Sequence, residues 1–77
     1  MEIKVLGPGC AKCKETEKLV REAVSEAGVT ATVEKISDFQ QIAGYGVFST
    51  PAVVIDDEVK VVGKVPSKSD LLSWLKA

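Results

Sequence analysis

The chain is 77 residues long, with 45% hydrophobic and 27% charged side chains and a formal charge of −1. That length holds one core, so a single domain over residues 1–77 is expected, and the aliphatic content excludes a disordered polypeptide. Ten basic and eleven acidic side chains are interspersed, which leaves no basic face and excludes nucleic acid as a partner.

Glu2–Leu6 is short and β-branched, and Gly7-Pro8-Gly9 breaks it before anything helical begins, so the chain opens on a strand and a sharp exit loop. The apolar run here is too short for a signal peptide or a membrane span, so a cytoplasmic protein without a membrane partner is expected. From Ala11 to Ala27, the residues Leu19, Val20, Ala23, Val24 and Ala27 recur at three- and four-residue steps, with Lys14, Glu17, Lys18, Arg21 and Glu22 on the other face. This spacing predicts an amphipathic helix, stopped by Gly28. An alternating strand follows over residues 29–36.

Ser37 with Gln40 has the spacing of a capping box, which predicts a short helix over residues 38–43, closed by Gly44 and a Tyr45-Gly46 loop. Ala52–Ile55 and Glu58–Val62 read as two strands across Asp56-Asp57, an antiparallel hairpin with a solvated acidic tip. Ser67 with Asp70 three residues on caps a last helix that supplies Leu71, Leu72, Trp74 and Leu75 to the core. Phe39, Phe48 and Trp74 are expected in core or loop packing. The order is βαβαββα, with parallel strands early and an antiparallel edge from the late hairpin.

Histidine is absent, which excludes the usual general base near neutral pH and any His-ligated metal. Two cysteines make the whole thiol inventory, too few for the disulfide framework of a small secreted domain. They stand together in Cys10-Ala11-Lys12-Cys13, where the first strand gives way to the first helix. Free backbone N–H groups and the positive end of the helix dipole beside Cys10 favour thiolate over thiol, and Lys12 adds to that field. At an unperturbed pKa of about 8.5 roughly 3% of a thiol is ionised at pH 7, against about half at a pKa of about 7.

Cys10, nearer the helix end and the loop tip, is therefore assigned as the attacking thiolate and Cys13, one turn inside, as the resolving thiol. Residues three apart on a helix come close enough for a disulfide with a small rotation at the frayed end. Gly9, Ala11 and Lys12 support the motif, and Gly9 before the two cysteines, with lysines at positions 12 and 14, argues against two inert core cysteines. A Cu(I) or other soft-metal carrier using the same two thiolates is the rival reading, and a redox-sensing adaptor without turnover a third. Small Cu(I) chaperone domains run βαββαβ and end on a strand, whereas this chain ends on a helix, which favours redox chemistry over a metal site.

With these residues in place the chain resembles the thioredoxin-like superfamily, most closely its short branch of small redox-active disulfide proteins and archaeal-type thioredoxins and glutaredoxins. The similarity spans essentially the whole chain and is carried by Cys10-Ala11-Lys12-Cys13, by Val47-Phe48-Ser49-Thr50-Pro51-Ala52-Val53, and by Gly63 and Trp74. It implies a minimal thioredoxin-like α/β fold, a four-stranded mixed sheet flanked by helices. Local preference predicts a trans bond before Pro51, whereas the resemblance implies a cis-proline loop lying against the disulfide. On the same basis Thr50 pairs with the backbone of an extended substrate and Pro51 shapes the groove and keeps metal from bridging the thiols.

The resemblance further implies a protein-disulfide reductase without a tightly bound cofactor, acting as a monomer on disulfide-containing proteins and served by a thioredoxin-reductase-like electron donor. The chain departs from larger relatives in having Gly9 where they carry Trp and Ala11-Lys12 where they carry Gly-Pro. Lys4 fills the strand interior where a buried carboxylate would be sought, so the proton of Cys13 is expected to leave through water or Glu34.

Overall fold

The computed structural model describes residues 1–9 and 11–76. Its elements are β1 (Glu2–Leu6), α1 (Ala11–Ala27), β2 (Thr32–Ile36), α2 (Phe39–Gly44), β3 (Ala52–Ile55), β4 (Glu58–Val62) and α3 (Lys68–Lys76). The strands form one mixed sheet in the order β2-β1-β3-β4. β1 runs parallel to β2 across the α1 crossover and antiparallel to β3, which pairs antiparallel with β4. This is the small α/β architecture that the resemblance implies.

Alternation along the strands divides the core between two faces of the sheet. Ile3 and Val5 of β1, Val53 and Ile55 of β3 and Val61 of β4 meet Val20 and Ala23 of α1 and Leu71 and Leu75 of α3. The interleaved residues Leu6, Ala52 and Val54 point the other way and pack with Ile36, Ile42 of α2 and Val47. β3 is buried along its whole length, because both faces are covered and both edges paired. The irregularity between Val53 and Val54, which pair with Val61 and Val59, inserts Lys60 as an extra residue. That bulge sends Val59 and Val61, which an unbroken strand would place on one face, to opposite cores.

α1 buries Cys13, Thr16, Val20 and Ala23 at helical spacing and packs on α3, with Lys68 and Glu26 paired at 3.0 Å on the outside. The Thr16 hydroxyl, fully buried, donates to the Lys12 carbonyl one turn back at 2.8 Å, so no buried donor is left over there. In α3 the Ser67 hydroxyl accepts from the Asp70 N–H at 3.1 Å, the expected cap. Trp74 packs against the α1–α3 core as expected. No helix among the described residues is long and apolar enough to cross a membrane.

Several details correct the sequence reading. β2 starts at Thr32 rather than at Val29, because its partner β1 starts at Glu2, which pairs with Thr32, and residues 29–31 have no strand beside them. The cap of α2 is Asp38, not Ser37: the Asp38 carboxylate accepts from the Gln40 N–H at 2.8 Å, and the helix runs one residue later than expected. The acidic hairpin tip is more than a solvated turn. Asp56 and Asp57 both adopt positive φ, 49° and 67°, as the two-residue turn with matching twist requires. Asp56 is bonded to Glu2 through both its N–H and its carboxylate, each at 2.8 Å, which fastens the turn to the start of β1. Phe39 and Phe48 are not in the core: they are 67% and 86% exposed.

Candidate active site

The ladder between β1 and β2 extends one residue past the strand through the Gly7 N–H, which donates to the Ile36 carbonyl at 2.8 Å. This brings Gly7, fully within the interior, under the first turn of α1. A Cβ at Gly7 would overlap Cys13 Sγ and stand 2.9 Å from Cys13 Cβ, closer than side-chain carbons approach one another. Glycine is therefore what allows the sulfur of Cys13 to rest on the end of β1, and Cys13 is 0% exposed. The sequence reading used Gly7 as a strand breaker and missed this contact. Its signal was present in the spacing of Gly7 and Cys13, but only folding shows that the two meet.

The second segment enters from the opposite direction. Thr50 Cβ lies 3.8 Å from the same Cβ position on Gly7, so the loop before β3 and the first turn of α1 converge there. The Thr50–Pro51 peptide bond is cis, and Pro51 is buried. The Pro51 carbonyl accepts from the Gly63 N–H at 2.9 Å, which anchors the loop to the end of β4, and the positive φ of Gly63, 77°, accounts for a glycine there. Thr50 itself is half-exposed, at the border between the buried sulfur and solvent.

Gly9 precedes the motif with φ at +94°, in the region that L side chains seldom enter, and Ala11 and Lys12 are exposed on the first turn of α1. Cys10 lies outside the described residues. Lys35, which pairs in register with Val5, places its ammonium 3.6 Å from where a Gly9 Cβ would be. A cation at that point stabilises negative charge on the loop, and no periodicity in the sequence reveals it, because the approach depends on the β1–β2 register. The first turn of α1 contains no acidic side chain, so Lys12 and Lys14 contribute in the same sense.

On the α2 side of the sheet, Lys4 Nζ donates to the Tyr45 hydroxyl at 2.6 Å and stands 5.4 Å from the ring centroid. That hydrogen bond, more than its nearby charges, raises the Lys4 pKa above the ordinary ammonium value, with desolvation opposing. The pair ties β1 to the loop that leads from α2 to Val47. Glu34, considered as a proton acceptor, is exposed on β2 opposite Lys4.

Beside Thr50 lies an apolar cleft of about 260 Å³, lined by Phe39, Ile42, Ala43, Val47, Phe48 and Thr50. A larger and more open concavity runs along the outer face of α1 between Lys14, Lys18, Arg21 and Glu22. It is walled by the stems of charged side chains, with Arg21 paired to Glu17 at 2.9 Å, and holds no reactive group.

Comparison with known proteins follows the same line as the geometry. A family model described as a thioredoxin domain matches residues 1–76. A thioredoxin of Methanothermobacter thermautotrophicus is 42% identical over 71 residues, covering 92% of this chain and 92% of its own. A thioredoxin of Methanocaldococcus jannaschii is 40% identical over 75 residues, covering 97% of this chain and 86% of its own. A second protein of the former organism, named a probable thioredoxin, is 36% identical over 67 residues, with 83% and 78% covered.

Proposed function

The chain belongs to the thioredoxin family, and from that premise we propose that it is a protein-disulfide reductase working through a reversible Cys10–Cys13 disulfide. The observation that carries the reading is the meeting of Cys13, Gly7 and the Thr50–Pro51 loop at one point. A sulfur sealed inside by Gly7 is poorly placed to attack a large substrate and well placed to complete a reaction that its neighbour has begun.

In the forward direction the Cys10 thiolate attacks one sulfur of a target disulfide. The target S–S bond breaks, a Cys10–target bond forms, and the other target sulfur leaves as a thiolate that takes up a proton. Cys13 then loses its proton and attacks the Cys10 sulfur. The mixed disulfide breaks, the Cys10–Cys13 bond forms, and the second target sulfur leaves and is protonated. Two electrons have passed to the target, which is now a dithiol, and a dithiol donor of the thioredoxin-reductase kind restores the protein by the reverse exchange. The helix end, Lys12 and the nearby Lys35 ammonium favour the thiolate on which the first step depends. Thr50 offers its backbone to the target segment, and Pro51 shapes the groove. The thiols themselves carry the electrons, so the cycle needs no tightly bound cofactor, and a single chain holds all of these groups.

The test is covalent trapping. The Cys13→Ser variant is expected to accumulate a mixed disulfide with a protein substrate and Cys10→Ser to accumulate none, while wild type reduces insulin disulfides in the presence of dithiothreitol. Trapping by Cys10→Ser instead would reverse the roles. Tight Cu(I) binding in a competition titration, with no insulin reduction, would replace the reading by that of a metal carrier.

A further inference from the structure

Lys4 stands in the interior of β1 with its side chain half-buried, and its ammonium donates to the Tyr45 hydroxyl at 2.6 Å across 41 positions of sequence. A donor that carries a charge makes this one of the stronger kinds of hydrogen bond. Ion pairs between two flexible surface side chains do little to fix a chain, whereas the acceptor here sits on a planar ring packed against the α2-side core. The bond also keeps Lys4 protonated near neutral pH, so this strand position accepts no proton from Cys13.

Tyr45 is where α2 ends. Its N–H donates to the Ile42 carbonyl at 3.1 Å and the Gly46 N–H to the Ala43 carbonyl at 2.9 Å. Gly46 then turns the chain with φ at +77°, and Val47, Phe48 and Ser49 lead to Thr50. Residues 45–51 are thus a strap held at both ends, by Lys4 through the Tyr45 hydroxyl and by Gly63 through the Pro51 carbonyl. Between these ends Val47 is buried, while Phe48 and Ser49 are exposed. The Lys4–Tyr45 bond attaches the strap to the same strand whose continuation, Gly7, meets both Cys13 and Thr50.

We propose that Lys4 and Tyr45 are positioning residues for disulfide exchange, their bond holding the strap so that the Thr50 backbone is set against the Cys13 sulfur when a polypeptide target binds. The proposal rests on the disulfide-reducing function above. Neither side chain touches the reacting sulfurs. They act through the strap, so a target that has backbone to align depends on them and a small disulfide without backbone does not.

The test compares the fully reduced wild type with Lys4→Met, Tyr45→Phe, the double variant and Lys4→Arg. Second-order rate constants of exchange are measured with a disulfide-linked octapeptide pair and with hydroxyethyl disulfide, which has no peptide backbone. Lys4→Met and Tyr45→Phe are each expected to slow the peptide reaction about fivefold while leaving the small disulfide within about twofold of wild type. The double variant should be no slower than either single variant, because the two side chains form one contact, and Lys4→Arg should restore most of the rate. Tyr45→Phe removes a single oxygen, so it carries the test should Lys4→Met fail to fold by circular dichroism. Unchanged peptide rates would overturn the proposal and leave the disulfide-reducing function standing. An equal loss with both substrates would overturn it as well, by assigning the pair to stability alone, and so would losses that multiply in the double variant. Failure of wild type with both substrates would bring down the underlying function instead.

Discussion

The two faces of the sheet are built to different standards. On one, α1 and α3 lie side by side over Ile3, Val5, Val53 and Ile55, and a helix of 17 residues and one of 9 cover the strands. On the other, α2 has 6 residues and buries Ile42, and the rest of the cover comes from Tyr45 and Val47. The thick face can hold the fold, while the thin face leaves Phe39 and Phe48 in water beside the loop that meets Cys13. The cover of the sheet is thus uneven from one face to the other, and the candidate site sits where the two faces join, at the end of β1.

The strongest way to break this comparison is to remove bulk from the thick face. Leu71→Ala deletes a side chain that is 1% exposed and is expected to cost about 2–5 kcal/mol, as large-to-small core substitutions do. Urea unfolding should show it as a large fall in midpoint, and a loss below about 1 kcal/mol would mean that the α1–α3 core is not where the fold is held.

The seam comes next. Gly7→Ala forces a Cβ into Cys13 and is expected to cost about 1–3 kcal/mol by overpacking, together with loss of insulin reduction, because Cys13 can no longer occupy its place. Full activity in this variant would show that the contact has no part in the cycle.

The smallest effect sharpens the account of the thin face. Asp38→Ala should cost about 1 kcal/mol through loss of the α2 cap, and Ser37→Ala less than about 0.5 kcal/mol. The reverse order in thermal unfolding would restore the capping box that the sequence suggested.

Much of the fold was legible in the residues because its signals are local. The helical spacing of α1 and the Ser67 cap of α3 need no distant partner to be read, and α1 and β1 fall within the bounds that periodicity gives them. The errors occur where a neighbour decides. β2 is shorter than its alternating pattern because β1 offers nothing to pair with before Glu2. The α2 cap passed to Asp38 because two adjacent residues can both cap, and the backbone conformation selects between them. Phe39 and Phe48 look like core residues by type, and only the tertiary structure shows them outside, at 67% and 86% exposure.

By itself the sequence determined the βαβαββα order and the position of Cys13 in the first turn of the helix that follows the first strand. These follow from residue type and short-range spacing, which chain connectivity preserves. Tertiary structure alone decided that Gly7 is the surface on which Cys13 and Thr50 meet, that the Lys35 ammonium reaches the Gly9 loop, and that an apolar cleft opens beside the site. Each depends on strand register and on how two faces of one sheet are covered, quantities set by packing between residues far apart in the chain.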